Sequence, residues 1–138
     1  MNLSADIELA GVITNPTIID KLFGTRKTNL DIITYTISEL AAESVLAAAK
    51  RGRVRIIYGQ RTAPKWLDEQ TNIECRCVRG IHTKLYLGHK EAYAGSTNLA
   101  LDTIGNLMIK LTPSQLVRAR TYFNLVWETR KAPKSILL

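Results

Sequence analysis

A chain of 138 residues with 46% hydrophobic and 22% charged residues is long enough to bury one sizeable core, and a single domain is expected. Nineteen Lys and Arg against twelve Asp and Glu leave a net charge of +7, an excess that favours a polyanionic partner such as DNA or RNA through counterion release. No apolar run is long enough to span a bilayer, and residues 1–6 lack the pattern of a signal peptide, so the expected location is cytoplasmic, with no membrane partner.

Taken in order, Asn15-Pro16 signals a turn, and Thr14 or Asn15 is placed to cap a short helix over 17–23. Residues 24–29 read as a basic loop carrying Arg26 and Lys27. Residues 30–37 are rich in β-branched side chains and predict a buried strand. Ser38 suits the N-cap of an alanine-rich helix from Glu39 to about Lys50, ended by Arg51-Gly52. Residues 53–59 give a second strand, and strand-helix-strand implies parallel pairing with a right-handed crossover. A polar loop follows, and Pro64 opens a short helix through Glu69. Four more strands are predicted over 72–78, 81–87, 91–96 and 106–111. The fifth follows the fourth so closely that the two should be antiparallel. Thr112-Pro113-Ser114 caps a last helix to about Arg130. Its stripe of Leu116, Ala119, Tyr122, Phe123, Val126 and Trp127 reads as core or interface. The fold class is therefore α/β, a mixed β-sheet flanked by helices. Cys75 and Cys77, at i and i+2 on one strand face, read as reduced core residues, and two cysteines are too few for a structural zinc site.

Chemistry concentrates in the fourth strand and just after the fifth. Within Ile81-His82-Thr83-Lys84-Leu85-Tyr86-Leu87 strict alternation places His82, Lys84 and Tyr86 on one face and the aliphatic side chains on the other. An imidazole beside an ammonium suits phosphate chemistry: the first is a nucleophile or acid/base, the second a fixed cation for the oxyanions. Gly95-Ser96-Thr97-Asn98 then offers close backbone approach, hydroxyls and an amide for phosphate oxygens. Arg53 and Arg55, alternating on one strand, and Arg61 and Lys65 in the loop beyond it, are candidates for a phosphate track. Arg118, Arg120, Arg130, Lys131 and Lys134 make the C-terminal region basic, suited to backbone contacts that carry no sequence information.

His82-Thr83-Lys84 followed by Gly95-Ser96-Thr97-Asn98 resembles the H-x-K and G-S-x-N signature of the phospholipase D superfamily, over most of the chain from Leu30 to Trp127. The resemblance implies a phospholipase D-like single domain, 1–138, acting without a metal or other cofactor. It implies His82 as nucleophile forming a phosphohistidine, Lys84 and Asn98 as phosphate ligands, Ser96 as an orienting hydroxyl, and Gly95 and Thr97 as substrate-binding positions. Family members use two such histidines. This chain carries one H-x-K, and His89 is its only other histidine, so the resemblance implies a homodimer that shares its site across a two-fold axis. Short single-motif relatives are mostly nucleases, which makes nucleic acid, DNA ahead of RNA, the expected partner. Two rival readings are a catalytically silent nucleic-acid-binding protein and a phosphodiesterase for lipid or small phosphoesters. The chain departs from the family at His89, where H-x-K-x4-D has its aspartate, and Leu107-Met108-Ile109 lacks the glutamate that some relatives use instead. Asp102, Glu91 and Glu74 are the acids left to orient His82.

Overall fold

The computed structural model describes residues 29–60, 63–96, 98–99 and 108–132, apart from the side chain of Leu40. The expected helix over 17–23, Arg26, Lys27, Arg61, Thr97, Asp102 and Lys134 lie outside the described residues. The element order is β1 (Leu30–Thr34), α1 (Glu39–Ala49), β2 (Val54–Tyr58), a 310 helix (Lys65–Glu69), β3 (Ile73–Cys77), β4 (Lys84–Leu87), β5 (Ala92–Gly95), β6 (Met108–Lys110) and α2 (Pro113–Thr129). They form one six-stranded sheet in the order β3-β2-β1-β4-β5-β6. β1, β2 and β3 are parallel; β4 pairs antiparallel with β1, and β5 and β6 continue antiparallel. The expected mixed α/β sheet is thus observed, with the parallel strand-helix-strand unit and the antiparallel β4–β5 hairpin.

All five residues of β1 are buried, as befits a central strand covered on both faces. On one face Leu30, Ile32, Val54, Ile56, Tyr86 and Tyr93 pack against the alanines of α1 and against Leu67 of the 310 helix. On the other, Ile33, Ile57, Leu85, Leu87 and Ala92 pack against Ala119, Tyr122, Phe123, Val126 and Trp127 of α2. The aromatic stripe is therefore core. Both helices start where the sequence implies. The Ser38 hydroxyl accepts from the Ala41 N–H at 3.2 Å, and a capping box joins Thr112 to Gln115.

Two expectations are corrected. The strand over 30–37 stops at Thr34, because the Thr34 hydroxyl donates to the Thr36 carbonyl at 2.8 Å and the chain turns; Ile37 keeps only an isolated bridge to Leu99. Cys77 is exposed on the edge strand rather than buried. Cys75 packs against the core, and burial, with Asp68 adding to it, pushes its thiol up to about 12.

The sheet also buries a charge. Asp31 is 3% exposed in β1 and receives both Nε and Nη2 of Arg55, at 2.8 and 2.9 Å, and Nη1 of Arg120 at 3.3 Å. Arg55 lies over the rings of Phe123 and Trp127, 4.9 and 5.2 Å from their centroids, while Arg120 also donates to the Gly88 carbonyl. This cluster joins β1, β2, α2 and the β4–β5 turn at the end of the sheet where the parallel strands begin.

Candidate active site

The opposite end, where β1 and β2 terminate, collects residues that the sequence singled out as candidates for phosphate chemistry. β4 enters there, because it runs antiparallel to β1 with Ile33 opposite Leu85; continuing that register sets Thr34 beside Lys84. Lys84 pairs in turn with Gly95. Ile81, Leu85 and Leu87 lie in the α2-side core, and the Thr83 hydroxyl is 3.2 Å from that of Tyr122 in α2. Tyr86 lies fully buried on the α1 side. The alternation therefore turns His82 and Lys84 toward the α1 side. There Tyr86 fills the core and His82, beyond the last ladder pair, is exposed.

Asn98 is brought back to the same edge. Its Oδ1 accepts from the Tyr35 N–H at 3.0 Å and lies 3.4 Å from Thr34 Oγ1, which leaves its amide N–H groups for another partner. The next residue, Leu99, donates its N–H to Thr34 Oγ1 at 2.8 Å, and its carbonyl accepts from Ser38 at the start of α1. Tyr86 also hydrogen-bonds the Thr34 side chain, although burial dominates and pushes its phenol far above the ordinary range. Thr34 thus ties β1, β4 and the Gly95–Asn98 segment together, with no exposure to solvent. Since α1 runs back along the sheet, its N-terminus opens at this edge, where a helix dipole favours an anion. The edge also lies at the carboxyl end of β1, with β2 and β3 on one side and β4 on the other, the position at which open α/β sheets bind ligands.

The Tyr35 ring stacks on His82, with centroids 4.3 Å apart and planes 17° apart. Gly59, at the end of β2, makes room for this. A Cβ there would collide with the Ile81 carbonyl and come within 2.8 Å of the Tyr35 ring. The Tyr35 carbonyl accepts from the N–H groups of Gly59 and Gln60, at 3.2 and 2.8 Å. Lys84 is half-buried, and desolvation lowers its pKa from the ordinary lysine value. Among the described residues its ammonium has no hydrogen-bond or ion-pair partner.

Of the residues singled out from the sequence, the structure brings together His82, Lys84, Gly95, Ser96 and Asn98. Arg53 and Arg55 are not among them. They lie at the start of β2, six and four residues before Gly59, and Arg55 is committed to buried Asp31. Arg61 and Thr97 fall outside the described residues. His89 lies in the β4–β5 turn, seven residues along an extended chain from His82 and on the order of 20 Å away. A side chain at that position of the same chain does not reach His82. Glu91 sits in the same distant turn, 3.9 Å from Lys110, and Glu74 is exposed on the outer strand β3 opposite Arg55. Lys65 lines an open groove near the start of α1 together with Glu39, Pro64, Trp66 and Glu69; with two carboxylates to one ammonium, it is not a basic trough. The sequence reading missed Thr34, Tyr35 and Gly59. The one trace was a glycine closing a β-branched strand, which marks a close backbone approach.

No family model and no curated protein matches the chain. Solved structures do. NucT from Helicobacter pylori superposes with a TM-score of 0.70 at 16% identity, over 83% of this chain and 88% of its own. Nuc from Salmonella typhimurium, a phospholipase D family member, gives 0.63 at 16% identity, over 80% and 85%. TrmBL2, an archaeal chromatin protein with a novel mode of DNA binding, gives 0.65 at 12% identity, over 86% of this chain and 50% of its own. The chain therefore has the phospholipase D-like α/β fold that its H-x-K and G-S-x-N segments led us to expect.

Proposed function

We propose that this phospholipase D-like chain is a phosphodiesterase that cleaves nucleic acid without a metal, DNA ahead of RNA, through an active site completed by a second copy of itself. The observation that carries this is the convergence of His82, Lys84 and Asn98 at the carboxyl end of β1, under the N-terminus of α1. That arrangement supplies a nucleophile and two kinds of phosphate ligand on one edge. An imidazole nitrogen of His82 attacks phosphorus; the P–N bond forms as the bond to the leaving oxygen breaks. The partner subunit's His82 gives that oxygen its proton, then takes one from a water whose oxygen displaces the imidazole. Lys84 and the Asn98 amide hold the non-bridging oxygens, and partial burial of Lys84 strengthens its pull on them.

The second imidazole has to come from another chain. This one holds two histidines, and the fold puts His89 at the far end of β4. A two-fold dimer supplies the missing group from the same surface. The net charge of +7 and the fold shared with DNA-binding TrmBL2 support nucleic acid as substrate. Rapid acid-free quenching during turnover should trap a phosphoryl or nucleotidyl adduct on His82, mapped by mass spectrometry. An adduct on another residue would contradict the assignment.

The likeness to TrmBL2 also favours a second reading, DNA binding without cleavage. It is distinguished by salt-sensitive binding that persists in His82→Ala while the wild type cuts nothing.

A further inference from the structure

We infer that Tyr35 is the positioning residue for His82, doing by ring stacking what an orienting carboxylate does by hydrogen bonding. This rests on the phosphodiesterase reading above. The nucleophile must present one nitrogen along the line of attack, so the plane of its ring has to be held. Glu91, Glu74 and position 89 all lie away from His82. Among the described residues the Tyr35 ring stacks on the imidazole, near-parallel at 4.3 Å.

Tyr35 is itself fixed. Its N–H is held by Asn98 and its carbonyl by Gly59 and Gln60, and its ring lies against a glycine whose replacement it would obstruct. The same contacts couple the nucleophile to a phosphate ligand, since Asn98 grips the backbone of the residue whose ring steadies His82. A displacement of Tyr35 would therefore move both.

The test is nuclear magnetic resonance of the His82 ring protons together with nuclease kinetics, on wild type, Tyr35→Phe and Tyr35→Leu. In the wild type the His82 ring protons should be shifted upfield by the stacked ring and show cross-relaxation to Tyr35. Tyr35→Phe should keep both signatures and near wild-type kcat. Tyr35→Leu should lose both, with kcat down by about 10- to 100-fold and KM changed much less. A wild-type spectrum without the ring shift overturns the inference, as does Tyr35→Leu with unaltered kcat. If the wild type has no nuclease activity, the phosphodiesterase reading fails, and a wild-type ring shift, lost in Tyr35→Leu and kept in Tyr35→Phe, still upholds the positioning.

Discussion

The Thr34 hydroxyl does more for the site than its size suggests. It donates to Thr36, accepts from Leu99, and hydrogen-bonds Tyr86, all without exposure to water. Thr34→Val keeps the shape and takes the hydroxyl acceptor away from the buried Leu99 N–H. It should cost about 1–3 kcal/mol in chemical denaturation, and it should lower activity because Asn98 is carried by the same junction. The two cysteines offer a second check. At pH 8 iodoacetamide should label Cys77 and spare Cys75, whose thiol burial raises from the ordinary 9.0 to about 12. Because the folded-state value is the higher one, the stability held at neutral pH is lost as pH climbs from 9.0 toward 12. Cys75→Ala should flatten that loss in an alkaline denaturation series.

At the scale of elements, the strands and helices were legible because their signals are local. Serine and threonine caps, β-branched runs and an apolar stripe each act over a few residues, and α1, β2, the β4–β5 hairpin and α2 follow from them. The lengths of β1 and β4 were not, because contacts from distant segments set them. Asn98 captures the Tyr35 N–H that a longer β1 would have paired, 63 residues away in sequence. The same limit applies to charge. Arg55 looks free in a strand until the pairing of β1 with β2 sets it beside buried Asp31. His82, Lys84 and Asn98 were legible as types at a spacing; their support by Tyr35 and Gly59 was not, since stacking has no sequence period. Asp31→Ala, which leaves two arginines facing an unpaired hollow, should cost about 3–5 kcal/mol, whereas His82→Ala at the exposed edge should change stability by no more than about 1 kcal/mol. Gly59→Ala belongs with the site. Forcing the Ile81 carbonyl and the Tyr35 ring apart should cost about 1–3 kcal/mol and reduce cleavage.

The whole molecule separates these roles along one axis. The Asp31–Arg55–Arg120 cluster holds the sheet and α2 together at one end, and the residues proposed for phosphate chemistry lie at the other. Among the described residues no helix is long and apolar enough to cross a membrane. On the proposed reading the single H-x-K is completed by a second copy, so sedimentation should give twice 15.4 kDa, and activity should fall on dilution below the dissociation constant of that pair. The most direct test of the account is cleavage of DNA and RNA in excess EDTA by the wild type beside His82→Ala. Cleavage that survives the chelator in the wild type and disappears in the mutant is the expected result. Cleavage that His82→Ala retains would contradict it.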